Sequence, residues 1–167
     1  IGSASPNLVT VGDGTADRVF IAFSSDYSNL EVGDNNGAND IFYGDISGAI
    51  RIVSLSPEGT QANGPSYFPT FSGDGRKLAF SSVASNLAPS DVNGEEDVFL
   101  YNTSSLDPSF VYLVGMASVS PQGIQGQLSS SCPSLSYDGS FIAFDSSANN
   151  WPLSGGVQAN GVRDVFV

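Results

Sequence analysis

Residues 72–82 read Ser-Gly-Asp-Gly-Arg-Lys-Leu-Ala-Phe-Ser-Ser, which is a turn dipeptide followed by a short run of strand-forming residues. Asp-Gly accepts the positive backbone dihedrals of a tight turn, so it is a strong signal for a hairpin. The same arrangement returns at residues 136–146, where a second Asp-Gly precedes Ser-Phe-Ile-Ala-Phe. These two stretches predict β-hairpins at matching places along the chain.

Two internal alignments indicate that most of the chain is built from one repeated unit. Residues 54–80 align without a gap with residues 118–144 at a shift of 64, and residues 22–40 align with residues 79–97 at a shift of 57. A third, more divergent copy occupies residues 143–164. Repetition at a period of several tens of residues is typical of repeat architectures. Within a single domain, residues 1–167, the predicted blade-like units are residues 12–55, 56–119 and 120–167.

Each unit is predicted to contain short β-strands and no helix. No window has a helical period of apolar residues with capping residues at its ends, whereas short β-prone runs alternate with Asp-Gly and Asn-Gly turns. The predicted strands are residues 20–25, 40–43, 50–55, 67–71, 77–82, 97–101, 110–119, 133–135, 141–146 and 164–167. The sequence therefore predicts an all-β fold.

The second copy resembles the TolB-type (WD-like) β-propeller repeat. The residues that carry the resemblance are the stretch 72–82, Ser-Asn-Leu at 85–87 and Asp-Val-Asn-Gly-Glu-Glu-Asp-Val-Phe-Leu-Tyr at 91–101. The resemblance implies β-propeller blades, here three four-stranded antiparallel blades. Such repeats identify a fold better than a function, so the activity has to be argued from particular residues.

Three blades are too few to close a ring, because propellers contain about four to eight. Residues 8–11 resemble the outer-strand residues 52–55, and the third copy ends before a matching strand. We therefore predict that residues 7–11 form a closing outer strand. It would complete either a second copy of this chain, in a ring or a filament, or a longer propeller with further blades. The predicted partner-binding residues of this strand are Leu8, Val9 and Val11.

Trp151 is a further candidate contact, for a protein or for a glycan. It stands where the first two copies have Leu30 and Leu87, in a polar stretch that continues with Pro152. An exposed Trp can stack on a sugar ring or anchor a protein partner. Core filling by the indole is the competing interpretation.

The pattern Asp-x-Asn-Gly-x-x-Asp occurs twice and is a candidate Ca²⁺ site, because Ca²⁺ prefers carboxylate and amide oxygens. Glu95 and Glu96 would add charge to the second copy. The competing interpretation is structural: Asn-Gly forms the turn, an Asx-type bond holds it, and the last Asp begins a strand. Gln158 replaces the first carboxylate in the third copy, which favours the structural interpretation. The candidate metal ligands are Asp34, Asn36, Asp40, Asp91, Asn93 and Asp97.

The charge and composition restrict the classes of partner and reaction. The chain has a net charge of −12 and no His, so nucleic acid is not an expected partner and a Ser-His-Asp triad is excluded. Membrane insertion is not expected, because no apolar run approaches the roughly 20 residues that a spanning helix needs. Few Lys, many Ser, Gly and Asn, and no Cys pair favour an exported bacterial protein, either secreted or periplasmic.

These observations favour a non-catalytic exported scaffold over an enzyme. The predicted partners are the chain itself, the remaining blades of a longer propeller, or another protein, with Ca²⁺ as a candidate stabilising ion. The alternative is a propeller module that binds carbohydrate or hydrolyses glycosides, because 17 acidic residues offer many potential carboxylate pairs.

Overall fold

The computed structural model describes most of the chain as strands and turns. The described residues are 7–12, 17–45, 48, 50–103, 111–153, 156–157 and 162–167. No helix occurs among them, so the predicted all-β class is confirmed. Within these ranges there is accordingly no helix long and apolar enough to cross a membrane.

The strands assemble into antiparallel sheets. The strands are β1 (Asn7–Gly12), β2 (Asp17–Ser25), β3 (Asp40–Asp45), β4 (Ile50–Ile52), β5 (Ser66–Phe71), β6 (Lys77–Ser82), β7 (Asp97–Thr103), β8 (Val111–Met116), β9 (Ser130–Leu135), β10 (Ile142–Ser146), β11 (Pro152–Leu153), β12 (Gly156–Val157) and β13 (Asp164–Phe166). Sheet I has the order β1-β2-β3-β4 and sheet II the order β5-β6-β7-β8. Sheet III has the order β13-β10-β9, and β11 pairs with β12 in a separate hairpin.

Side chains of the predicted Asp-Gly turn close the hairpin between β5 and β6. The Asp74 carboxylate accepts hydrogen bonds from the Ser72 hydroxyl at 2.7 Å and from the Arg76 N–H at 3.1 Å. Gly75 has a φ of 68°, a left-handed conformation that glycine adopts without steric cost. Asp138 and Gly139 repeat this geometry between β9 and β10, with Gly139 at a φ of 65°. The local sequence thus determines both hairpins.

β1 occupies the first position of sheet I, and this corrects the predicted role of residues 7–11. The strand pairs with β2, with Leu8 opposite Ile21, just as β5 pairs with β6 and β9 with β10. The outer strand of sheet I is β4 instead. Only residues 13–16 separate β1 from β2, and strands joined by so short a connection pair with each other. Leu8, Val9 and Val11 therefore belong to the first strand of their own sheet.

The hydrophobic core lies between successive sheets. β5 contacts β2 and β3 of sheet I, and β9 contacts β6 and β7 of sheet II. The buried residues that join sheets I and II include Phe20, Ile41, Tyr43, Phe71, Leu78, Phe80, Phe99 and Tyr101. A second cluster lies between sheets II and III and contains Val98, Phe144, Ala148 and Trp151. Sheet II is therefore covered on both of its faces.

Candidate functional site

The second acidic turn attaches sheet II to the segment that leads into sheet III. The Gln125 side-chain amide donates hydrogen bonds to Asp91 Oδ1 at 2.9 Å and to Asp97 Oδ2 at 2.8 Å. The Asn93 side-chain amide donates to the carbonyl of Gly126 at 2.7 Å. We call Asp91, Asn93, Asp97 and Gln125 the second clasp, because they connect one sheet to the next.

The first acidic turn forms an equivalent connection from sheet I to the segment before sheet II. Gln61 Nε2 lies 3.4 Å from Asp34 Oδ1, and the Asn36 amide donates to Asp40 Oδ2 at 2.8 Å. The same Asn36 amide donates to the carbonyl of Ala62 at 3.1 Å. Asp34, Asn36, Asp40 and Gln61 are the first clasp. The structure thus places all six predicted metal ligands in two inter-sheet connections, three in each.

The last Asp of each clasp begins a strand and is fully buried. The Ser54 hydroxyl donates to Asp40 Oδ1 at 2.5 Å, and the Ser118 hydroxyl donates to Asp97 Oδ1 at 2.5 Å. The Ser54 hydroxyl also accepts the backbone N–H of Ile41 at 3.1 Å, and the Ser118 hydroxyl accepts that of Val98 at 3.1 Å. The last Asp therefore has the strand-starting role that the structural interpretation gave it.

The Asn residues of the clasps stabilise their own turns. Asn36 Oδ1 accepts the backbone N–H of Ala38 at 3.0 Å, and Asn93 Oδ1 accepts that of Glu95 at 2.8 Å. These are Asx-type bonds, which shape a turn locally. The side chain of Glu95 accepts a hydrogen bond from Ser129 at 2.6 Å, outside the clasp. The side-chain oxygen of each Asn is therefore used inside its own turn and not for a metal ion shared with the Asp carboxylates. The Glu95 carboxylate is likewise bonded outside the clasp.

One oxygen of the first Asp in each clasp is buried without a partner. Among the described residues, the buried side-chain oxygen and nitrogen atoms that lack a hydrogen bond are Asp34 Oδ2 and Asp91 Oδ2. Asp91 is 7% exposed, whereas Asp34 is half-buried. Burial raises the pKa of Asp40, Asp91 and Asp97 above the usual value for a carboxyl. Each clasp therefore holds two closely spaced carboxylates in a poorly solvated place.

No group of three or more His, Cys, Asp or Glu side chains suited to a metal ion occurs in the part of the chain that the structure describes. Any ion in a clasp would have to bind its two carboxylates together with backbone or water oxygens. In the third copy, Gln158 and Asn160 lie outside the described residues. Asp164 begins β13, as Asp40 and Asp97 begin β3 and β7.

The glutamines of the clasps are held from both sides. Asn150, next to sheet III, donates its side-chain amide to the carbonyl of Gln125 at 2.8 Å, and Asn86 donates to that of Gln61 at 2.9 Å. Neither glutamine was expected to have a role in a site. Gln61 and Gln125 are nevertheless identical at matching positions of two copies, and that identity was the available signal.

Trp151 lies in the core, so the predicted role in partner binding is wrong for this residue. Its side chain is 3% exposed, and its Nε1 donates to the carbonyl of Ile124 at 2.9 Å. The indole packs edge-on against Phe144 and Phe166. Its indole is large enough to fill the space between sheets II and III, and its one polar atom is satisfied there.

The two outer sheets each present a face that carries exposed or partly exposed apolar side chains, although Phe42, which stacks on Phe23 on the outward side of sheet I, is fully buried. The face of sheet I that points away from sheet II carries Ile21, Phe23 and Leu30; we call it the first face. Ile21 and Phe23 are partly exposed and Leu30 is 37% exposed. The matching residues of sheet II are fully buried against sheet I, and they are Leu78, Phe80 and Leu87.

The corresponding face of sheet III carries Val165 and Val167; we call it the last face. Val165 is 74% exposed and Val167 is 85% exposed. Alternate residues of a strand point to opposite faces, and Phe166 between them packs toward sheet II. The residues that match Val165 in sheets II and I are Val98 and Ile41, and both are fully buried. The last face thus carries a residue whose counterparts are buried in the interface between sheets I and II and in the interface between sheets II and III.

Comparison with known proteins does not assign the chain to a family. No protein-family model matches it, and no curated protein matches it significantly.

Proposed function

We propose that the chain is a non-catalytic scaffold of the TolB-type (WD-like) β-propeller class, in which sheets I to III are blades and further blades come from a second copy. The observation that carries this proposal is that the faces equivalent to the first face and to the last face pack against each other inside the chain. Within the chain, a first-type face packs on a last-type face twice, between sheets I and II and between sheets II and III. The two faces left over are complementary in the same way, so copies can stack head to tail.

The arrangement of the first strands supports the propeller interpretation. β1 contacts β5, and β5 contacts β9, so the first strands of the three sheets lie side by side. Blades of a propeller are arranged in this way, with equivalent strands next to one another around a common axis. Sheets I and II each contact the first strand of the sheet that follows them, which is the contact expected between neighbouring blades.

Surface chemistry supports association of the uncovered faces. β13 is one of the two edge strands of sheet III among the described residues, and exposed edge strands readily pair with strands of other chains. Exposed apolar side chains on β13 and directly after it, Val165 and Val167, add a hydrophobic contribution of about 25 cal/mol for each Å² of apolar surface that becomes buried. Stacking of the apolar faces and pairing at the strand edge are therefore two separate contributions to association, because the edge lies in the plane of the sheet and the face is perpendicular to it.

A scaffold role fits the chemistry better than a hydrolytic or glycan-binding role. The chain has no His, and the clasp carboxylates are engaged in connecting the sheets. The aromatic residue that was the candidate for stacking on a sugar, Trp151, is buried. The composition, with few Lys and many Ser, Gly and Asn, further supports an exported protein, secreted or periplasmic.

Sedimentation velocity over a range of concentrations tests the assembly. We expect species whose masses are multiples of 17.3 kDa. Val165→Glu places a charge in the last face and should weaken association at least tenfold. Val92→Glu is the matched control, because Val92 is 83% exposed on the turn of the second clasp and belongs to neither terminal face. A mass of 17.3 kDa at every concentration would overturn the proposal, as would equal weakening by the two variants.

A further inference from the structure

We infer that the Glu31 carboxylate limits the stacking of a second copy on the first face, an inference that rests on the proposed function. Glu31 lies in the loop between β2 and β3, next to Leu30 of the first face. The matching loop of sheet II packs in the core between sheets I and II, where it contributes Leu87 and Ala88. A second copy that packs on sheet I in the same way would therefore contact the loop that carries Glu31.

Glu31 and Ala88 occupy the same place in the backbone of their sheets. The carbonyl of Glu31 accepts the N–H of Asp34 at 3.4 Å, and the carbonyl of Ala88 accepts that of Asp91 at 3.0 Å. Ala88 is 4% exposed and belongs to the core between sheets I and II. The third copy has Pro152 at this position. The two copies that follow another sheet thus have an uncharged residue where the first face has a carboxylate.

The Glu31 carboxylate is held on sheet I by the backbone of β4, because its Oε2 atom accepts the N–H of Ile52. Ile52 lies opposite Phe42 in the register of β3 and β4. The neighbouring ladder bond joins the Val53 N–H to the Ile41 carbonyl. Hydrogen-bonded and non-hydrogen-bonded pairs alternate in an antiparallel ladder, so the N–H of Ile52 points away from β3, toward the open edge of the sheet. Glu31 therefore occupies an edge N–H group that a strand of another chain would otherwise use.

Two apolar residues next to this contact are already buried within sheet I. Phe42 is fully buried on the outward side of the sheet, where it stacks on Phe23, and Ile52 is 7% exposed. Their burial needs no second copy, so they add little to the apolar surface that stacking would remove from water. The first face is therefore weaker in attraction than its counterpart in sheet II, and it carries a charge at its border.

Stacking would remove the Glu31 carboxylate from water without giving it a cation. A carboxylate buried in this way loses hydration that the apolar contacts have to offset. Arg163 lies beside the last face, but its Nε atom already pairs with Asp145 Oδ2 at 2.7 Å. Asp145 lies opposite Val165 in the register of β10 and β13, so this ion pair belongs to the last face itself. Glu31 would have to compete with Asp145 for that guanidinium.

Sedimentation velocity of Glu31→Ala tests whether the carboxylate limits stacking. Ala is the residue that the matching interface contains, so we expect self-association about tenfold stronger than that of the unmodified chain. Glu58→Ala is the matched control, because it removes the same charge from an exposed position between sheets I and II. It should change association by less than about twofold. Val165→Glu combined with Glu31→Ala should cancel the gain, which assigns the gain to packing on the last face.

Hydrogen exchange of the Ile52 amide tests the contact of Glu31 with β4, in samples dilute enough to be monomeric. Glu31→Ala should speed this exchange about tenfold, because an edge N–H without an acceptor is open to water. Glu31→Gln removes the charge but keeps an oxygen that can accept the same N–H. The Gln variant should therefore retain slow exchange at Ile52 and still associate more strongly than the unmodified chain.

Equal association of Glu31→Ala and Glu58→Ala would overturn the inference, as would unchanged exchange at Ile52 in Glu31→Ala. If Val165→Glu still weakens association of the unmodified chain in that case, the proposed assembly stands without a role for Glu31. An unmodified chain that stays at 17.3 kDa while Glu31→Ala associates would contradict the expected assembly and support the limiting role of Glu31. Monomers in every variant would overturn both proposals.

Discussion

Trp151 packs against Gly126, and the absence of a side chain at Gly126 leaves the space that the indole occupies. A methyl group added at Gly126 would lie 2.8 Å from the Trp151 ring. The matching residues of the preceding copy are Ala62 and Leu87, which lie together in the first core cluster. A larger side chain on one element is therefore accompanied by a smaller one on the other, because close-packed interiors conserve volume.

The Gly126→Ala substitution should destabilise the fold by about 1–3 kcal/mol through steric overlap with the indole. Trp151→Leu should also destabilise it, since it leaves a cavity. The double variant recreates the Ala-Leu pair of the preceding copy and should be more stable than the sum of the single changes predicts, by about 1 kcal/mol. Urea unfolding of all four proteins measures this coupling, and strictly additive changes would show that the two residues do not share a space.

A second effect at the residue scale concerns the pH dependence of stability. Burial raises the pKa of Asp91 above its usual 3.8, so the folded chain binds this proton more tightly than the unfolded chain does. The free energy of unfolding should therefore increase as pH falls from neutrality through the raised pKa toward 3.8. Asp40 and Asp97 act in the same direction.

Asp91→Asn should flatten this dependence over the range from neutrality to pH 3.8, because one of the contributing carboxyls is removed while its bond from Gln125 can be kept. Urea unfolding at several pH values measures the slope for each protein. Asp138 provides the opposite case, because hydrogen bonds from Ser140 and Ser136 lower its pKa to about 2. The stability that this carboxylate contributes is present above pH 3.8 and is lost as pH falls from 3.8 toward 2. A variant with an unchanged slope would show that Asp91 does not titrate in this range.

At the scale of single strands, the first strands of sheets II and III share a backbone distortion. Phe68 in β5 and Cys132 in β9 both have a φ of 54°, each directly before a proline. The register of both strands shifts at this point, and both side chains are exposed. Proline lacks the N–H that a strand ladder needs, and the bulge places this residue outside the ladder.

Phe68→Asn should stabilise the fold by about 0.5–1 kcal/mol, because Asn adopts the left-handed conformation more easily than Phe does. Phe141→Asn is the control: Phe141 is 65% exposed, but it is not among the described residues with positive φ. Thermal unfolding compares the two variants. Equal changes in stability of the two variants would show that the change results from the loss of an exposed aromatic surface and not from relief of backbone strain.

Local turn chemistry made most of the strands predictable. The Asp-Gly and Asn-Gly turns fix where strands begin and end, so the hairpins built on residues 72–82 and 136–146 appear as expected. The clasps were recognised as turns but not as connections between sheets. Gln125 lies 34 residues from Asp91, and no periodic pattern in one chain reveals so distant a pair of hydrogen-bonding partners.

The position of β1 in sheet I can be predicted from the Ser and Pro residues that precede it, although not from the match of residues 8–11 to residues 52–55. Its Leu-Val-Thr-Val run has the alternation of any half-buried strand, and this favoured the comparison with the outer strand at 52–55. The pattern Ser-x-x-Pro-x-(Leu/Phe) assigns it correctly, since it occurs in all three first-strand regions. These are residues 3–8, 66–71 and 130–135. Small and polar residues carried the information, so hydrophobic patterning alone could not find it.

For the whole molecule, charge opposes the association that the uncovered faces favour. The net charge of −12 is repelled by the same charge on a second copy. We expect self-association to strengthen by about tenfold when NaCl is raised from 20 mM to 300 mM, as screening shortens the range of this repulsion. Sedimentation equilibrium at the two salt concentrations measures the change. Association that weakens with salt would indicate an interface of opposite charges and would contradict a mainly apolar one.

Because each clasp connects a sheet only to the sheet that follows it, each of the first two units carries the hydrogen-bonding groups that attach its next neighbour. A gene encoding such a unit can gain or lose whole copies without altering any existing contact inside the remaining ones. Growth by duplication then requires no new interface, only a further use of the old one. The differences between the Ala62-Leu87 and Gly126-Trp151 pairs are changes of the kind that accumulate afterwards, one interface at a time.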